Sequence, residues 1–180
     1  RARASAPQRM MALLLVALAA SLVVWNDAAR QAEALTTAAA IQSNLGLNVD
    51  LAPGDTLLTI GAGSTAMFSL RLDIACSFAL LVIPVLLVTA AMLTTGRTTV
   101  PRAVPLVATG SFLLVLVNAL RLVVVAALSH ADGVEGFNWS HTVYGSLIAL
   151  TGLAAVLVGM VWVTGRTSRG ARTRRRGVGS

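Results

Sequence analysis

Long apolar runs separated by short polar segments dominate this chain. The four longest runs cover residues 10–25, 72–93, 103–128 and 142–163. Each of the last three is long enough for a helix to cross a hydrocarbon core of about 30 Å, which takes about 20 residues, and the first lies near the lower limit. The pattern predicts an all-α, polytopic membrane helix bundle with about four transmembrane helices.

The only long polar stretch, residues 26–71, predicts a region outside the membrane. Its alanine-rich part, residues 27–42, predicts a helix. Pro53-Gly54-Asp55 is a turn signal between apolar residues, so residues 49–58 predict a short β-hairpin or an extended loop, and Gly61-Ala62-Gly63-Ser64 predicts a second turn. The chain then divides into a cytoplasmic N-terminus with the first transmembrane helix (1–25), an extracytoplasmic loop (26–71), a three-helix core (72–165) and a basic cytoplasmic tail (166–180).

Composition and charge agree with a membrane protein. The chain is 56% hydrophobic and 12% charged, whereas soluble domains carry about 25% charged residues. The net charge is +7, and all 14 basic residues are arginine. Eleven of them fall in three groups. If each apolar run crosses the membrane once, all three groups lie on the same side, and the positive-inside rule makes that side cytoplasmic. Membrane topology therefore accounts for the basic charge, and nucleic acid is not predicted as a partner. The three groups are Arg1, Arg3 and Arg9; Arg97 and Arg102; and Arg166, Arg169, Arg172, Arg174, Arg175 and Arg176.

The beginning of the chain allows two interpretations. The first residue is Arg1, so translation starts either upstream or at Met10 or Met11. The first apolar run follows basic residues, as a cleaved signal peptide would, and Ala19-Ala20-Ser21 supplies small residues for cleavage. An uncleaved anchor is favoured, because those small residues lie inside the apolar run.

Three polar residues on three predicted helices reach the same membrane level. Cys76, the only cysteine, is about four residues into a helix entered from outside, about 6 Å below its outer end. Arg121 is about 18 residues along a helix entered from inside, about 27 Å from its start. His141 stands at the outer start of the last helix. Each alone has an ordinary explanation, namely a packed thiol, an anchoring arginine and an interfacial histidine.

Together these residues can perform nucleophilic chemistry. A nearby cation or histidine lowers the pKa of a thiol, a fixed guanidinium stabilises a developing oxyanion, and a histidine carries the proton to a leaving amine. Asn118 lies three residues before Arg121 on the same helical face, so this apolar helix carries one polar stripe. Such a stripe usually faces a bundle interior or a wet cavity.

The same residues resemble the motifs of the exosortase and archaeosortase family of multi-pass membrane enzymes. The resemblance lies in Ala75-Cys76-Ser77, Asn118-Ala119-Leu120-Arg121 and His141-Thr142-Val143-Tyr144-Gly145, in the family's order, and covers about residues 45–145. Phe78 stands where the family usually has glycine after Cys-Ser, and many members have about twice as many transmembrane helices. The chain is therefore similar to a short, minimal member.

The resemblance implies a membrane-embedded cysteine transpeptidase or protease acting through a thioester, with residues 72–165 as its catalytic core. Its substrates would be secreted proteins that end in a short sorting motif, a transmembrane helix and a basic cluster, with the site facing outside the cell membrane. No metal or cofactor is predicted, and the acceptor and the oligomeric state stay open. The predicted catalytic residues are Cys76, Arg121 and His141, with Asn118, Ser77, Asp73 and Tyr144 in support.

Two other functions remain alternatives at this point. The chain could be a small-solute transporter component that uses Arg121 as an anion site, or a non-catalytic membrane subunit. The clustering of polar residues at one face argues against a transporter. A second histidine, His130, also follows Arg121, but His141 is preferred because Gly145 lies four residues after it.

Overall fold

The computed structural model describes residues 4–52, 54–61, 63 and 67–176, with the side chains of Ala75 and of residues 167–176 left out. It is mostly helical with one small sheet, as the apolar pattern predicts. The elements are α1 (Ala6–Val24), α2 (Asn26–Leu45), β1 (Val49–Leu51), β2 (Leu57–Ile60), β3 (Phe68–Arg71), a 3-10 turn (Ile74–Cys76), α3 (Phe78–Thr94), α4 (Val100–Trp139), a π-helical turn (Ser140–Tyr144) and α5 (Gly145–Arg176).

Two helical stretches are long and apolar enough to cross a membrane. They are Ala6–Val24, with 19 residues, and Val100–Arg166, with 67 residues. The second is interrupted at Gly133, whose backbone has φ 62° and ψ −135°, a conformation that glycine adopts at little cost. Because α4 and α5 pack against each other, the chain reverses direction at this glycine. The third apolar helix, α3, has 17 residues.

The polar stretch between α1 and α3 folds into a helix and a sheet. The predicted alanine-rich helix is confirmed as α2, which ends at Gly46 in the left-handed conformation. The predicted hairpin is also confirmed, since β1 pairs antiparallel with β2, and β3 adds a third antiparallel strand that the sequence analysis did not predict. In the two predicted turns, Pro53, Ala62 and Ser64 lie outside the described residues.

The prediction that residues 72–93 form one helix, with Cys76 four residues inside it, is wrong. Asp73 accepts a hydrogen bond from the backbone N–H of Ile74 at 2.7 Å and so begins a separate 3-10 turn that ends at Cys76. Ser77 is extended and its hydroxyl accepts from the N–H of Ala79 at 3.3 Å, which makes Ser77 the N-cap of α3. The thiol therefore lies in a capped turn just before the apolar helix.

The structure contains two clusters of buried apolar side chains. The first joins α1, α3, α4 and α5, with Val85, Leu86 and Leu114 among its members. The second joins α2, the sheet and the middle of α4, and contains Cys76 and Leu122. Cys76 therefore belongs to the second cluster, whereas Phe78, two residues later, packs against the first.

The helix ends away from the site are also tied together. The side-chain amide of Gln8, near the start of α1, donates to the carbonyl of Thr98 in the α3–α4 loop at 2.9 Å. Pro105 near the start of α4 and Trp162 near the end of the apolar part of α5 line one groove. The start of α1, the α3–α4 loop and that part of α5 therefore share one end of the bundle.

Candidate active site

The structure brings the predicted nucleophile and the predicted base together. The Sγ of Cys76 lies 3.9 Å from the Nδ1 of His141, although the residues are 65 positions apart in the chain. His141 belongs to the π-helical turn, and its ring stacks on Phe137 with centroids 5.3 Å apart and planes 11° apart. This stacking holds the imidazole plane while one ring nitrogen faces the thiol.

Arg121 is buried next to this pair, with 6% of its surface exposed. Its side chain passes over Gly145, because a Cβ added to that glycine would lie 3.0 Å from the Nε of Arg121. The glycine four residues after His141 therefore gives the arginine the space that it occupies. The spacing of four residues between His141 and Gly145, noted from the sequence, therefore places the glycine that accommodates Arg121 one helical turn after the histidine.

Asn118 holds the backbone of the cysteine. Its Nδ2 donates to the carbonyl oxygen of Cys76 at 2.8 Å, and the side chain is fully buried. The same nitrogen also donates to a carboxylate oxygen of Glu33. Asn118, predicted from the sequence as a supporting residue, thus directly supports the turn that carries the cysteine.

Glu33 is a site residue that the sequence analysis missed. It lies on α2 with 6% of its surface exposed, and its two carboxylate oxygens accept from the N–H of Phe78 at 3.1 and 3.2 Å. A sequence signal existed, since Glu33 falls on the buried stripe of α2 with Thr37 and Ile41, at spacings of four residues. An acid on a buried stripe of a helix needs a partner.

The electrostatics of the site are dominated by burial and by Arg121. Burial raises the pKa of Glu33 to about 7, although its hydrogen bonds from Phe78 and Asn118 and the charge of Arg121 act in the opposite direction. Burial also raises the pKa of the Cys76 thiol, and the positive charge of Arg121 opposes that rise. The lowered thiol pKa expected from a nearby cation is therefore not reached, and the thiol needs a partner to take its proton.

The other predicted residues take different places. Ser77 is buried and caps α3, and Asp73 is exposed and caps the turn that carries Cys76. Tyr144 is 49% exposed and lines an outer cavity of about 590 Å³ with Trp139 and two acidic residues. His130 is exposed on α4, whereas His141 contacts the thiol. Asp73 and Ser77 thus act on the turn, and Tyr144 lies on the exposed surface.

No family model, curated protein or solved structure matches the chain. The resemblance to exosortases and archaeosortases therefore rests on the three short sequence motifs alone. Within the part of the chain that the structure describes, no group of three or more His, Cys, Asp or Glu side chains could hold a metal ion.

Proposed function

We propose that the protein is a membrane-embedded cysteine transpeptidase or protease. The single observation that carries this proposal is the contact between the Cys76 thiol and the His141 ring at 3.9 Å, next to the buried Arg121. A nucleophile, a base and a cation from three separate segments have little reason to meet in a purely structural bundle, because burying a charged group is costly.

The reaction follows from these positions. His141 takes the thiol proton as the sulfur forms a bond to the carbonyl carbon of the peptide. Arg121 stabilises the oxyanion that develops on the carbonyl oxygen. His141 then returns the proton to the leaving amine as the C–N bond breaks, which leaves a thioester on Cys76. An amine or water then attacks the thioester carbon while His141 takes its proton. The C–S bond breaks to release the acyl product, and His141 passes that proton to the sulfur, which restores the thiol.

The substrate class follows from the resemblance and from the position of the site. Secreted proteins that end in a short motif, a transmembrane helix and a basic cluster would present the motif where the apolar helices end. Cys76 lies at that level, directly before α3.

The proposed membrane arrangement has four crossings with both ends of the chain in the cytoplasm. The reversal at Gly133 divides Val100–Arg166 into two crossings, and α3, at about 26 Å, nearly matches a core of about 30 Å. Arg166 stacks on Trp162 at 3.5 Å, an aromatic and cationic pair suited to an interface. Reporter fusions after Gly96 and Gly170 should report cytoplasm, and fusions after Gly46 and Gly133 the outside. A cytoplasmic signal after Gly133 would rule out an outward-facing site.

Trapping the thioester tests the proposed chemistry. The test uses a secreted protein from the same genome that carries a C-terminal motif, a transmembrane helix and a basic tail. Wild-type enzyme should form an adduct with it that hydroxylamine releases, and the adduct should map to Cys76, the only cysteine. Cys76→Ala should remain folded and form no adduct. Normal cleavage by Cys76→Ala would contradict the mechanism, because the reaction would then proceed without the thiol.

A further inference from the structure

We propose that Glu33 is a positioning residue of this site, which holds Asn118 against the cysteine turn and sets the net charge that Arg121 presents to the thiol. The inference rests on the proposed function in treating Cys76 as the nucleophile. It assigns a role to α2, a helix outside the three-helix core that the sequence pattern marks as catalytic.

The first support is the hydrogen bonding of Asn118. A side-chain amide nitrogen carries two hydrogens, and both are used here, one by the Glu33 carboxylate and one by the carbonyl of Cys76. Without Glu33 the amide would be held on one side only. The carboxylate therefore orients the amide that in turn fixes the backbone of the nucleophile.

The second support is the start of α3. Both carboxylate oxygens of Glu33 accept from the N–H of Phe78, the first residue of α3. The first N–H groups of a helix have no partner within the helix and carry partial positive charge, so a carboxylate is favoured there. Phe78 is two residues after Cys76, so this bond also restrains the turn that carries the thiol.

The third support is charge. The titratable ring of His141 faces the thiol at 3.9 Å. The charged groups that act on the thiol are Arg121 from α4, Glu33 from α2 and Asp73 from its own turn. Of these, the arginine favours the thiolate and the two acids disfavour it. When Glu33 is ionised it offsets Arg121, and when Glu33 is neutral the full positive charge acts on the thiol. Because burial raises the pKa of Glu33 to about 7, both states are populated near neutral pH.

A cavity lies beside Glu33. It has a volume of about 150 Å³, lies between α2, α3 and α4, and is lined by Glu33, Thr36, Thr37 and Phe78 among others. This space is large enough for water, which occupies about 30 Å³ per molecule in the liquid. We expect Glu33 to exchange its proton through this cavity, which Cys76 does not line.

The test is the pH dependence of Cys76 alkylation by iodoacetamide in detergent-solubilised full-length protein, which needs no substrate. Glu33→Gln removes the opposing negative charge, so the midpoint of the profile should move to lower pH by about one unit. Below the midpoint, the variant should then be alkylated about tenfold faster than wild type. Glu33→Asp keeps the charge and should keep the wild-type midpoint. Glu135→Gln, the same change at an exposed outer acid, is the matched control and should leave the profile unchanged.

Two results would overturn the proposal. The first is an alkylation midpoint in Glu33→Gln that equals or exceeds the wild-type midpoint, in an experiment in which Arg121→Gln does raise the midpoint. The other needs no variant: ionisation of Glu33 near pH 7 should make the wild-type profile rise less steeply there, and a single-ionisation curve would contradict the role. The proposed function can be refuted independently of this proposal. A protein that cleaves no substrate but shows the expected alkylation profiles would refute the proposed function and leave the role of Glu33 standing.

Discussion

Gly145→Ala tests whether the space at this glycine positions the arginine. The added Cβ would lie 3.0 Å from the Nε of Arg121 and 3.0 Å from the carbonyl oxygen of Ser140. The carbonyl belongs to the backbone of the π-helical turn that carries His141 and cannot move alone. The arginine must therefore shift by a few tenths of an ångström, and the turn is pushed at the same time.

The expected effect falls on activity more than on stability. Overpacking costs about 1–3 kcal/mol, whereas alanine is favoured over glycine inside a helix by about 1 kcal/mol, so the net loss should stay within about 2 kcal/mol. A misplacement of about 1 Å can cost about 100-fold in rate, so a smaller shift of Arg121 should cost about tenfold. We expect the variant to melt within a few degrees of wild type and to cleave substrate about ten times more slowly.

Gly159→Ala is the matched control on the same helix. A Cβ added there meets no atom within 4 Å, so the variant should keep the wild-type rate. Cleavage kinetics and thermal melting in detergent measure both variants. A Gly145→Ala enzyme with full activity would show that the contact with Arg121 does not position the guanidinium.

Three further predictions concern individual side chains. Arg121→Lys should lower the cleavage rate on the order of 100-fold while thermal melting changes little, because a point charge does not reproduce a planar guanidinium. His141→Ala should lower cleavage by at least about 100-fold, and His130→Ala should leave it unchanged; the opposite pattern in a cleavage assay would reassign the base. The pKa of Glu33 is about 7 in the folded protein and 4.5 for an unperturbed side chain. Ionisation of Glu33 should therefore lower the free energy of unfolding by about 3 kcal/mol as pH rises from about 4.5 through 7. Melting curves of wild type should fall over that range relative to Glu33→Gln, and parallel curves would contradict the buried carboxylate.

The sequence was sufficient to predict that Cys76, Arg121 and His141 come close together. That prediction came from counting residues along three apolar runs of alternating direction, and for Cys76 the count was wrong because α3 begins only after it. The first residue of α3 was harder to predict, because an apolar run does not show where a helix cap interrupts it. The capping residues Asp73 and Ser77 were predicted only as supporting residues of the site.

The contact of Glu33 was beyond sequence reasoning for a different reason. Glu33 contacts Phe78 and Asn118, which lie 45 and 85 residues after it. These contacts depend on how residues 26–71 fold back over the helix ends. Hydrophobic periodicity reports which face of α2 is buried but not which element covers that face. The π-helical turn at residues 140–144 was likewise invisible, since it changes the local winding without changing the apolar pattern.

The order of the site residues along the chain has a consequence for biosynthesis. Cys76 is synthesised well before Arg121 and His141, which arrive with α4 and with the turn that precedes α5. A nascent chain that has inserted only its first helices therefore carries the thiol without the cation and without the histidine. In the mechanism proposed above, the thiol becomes reactive only after His141 has been synthesised, so an incomplete chain should not attack other proteins.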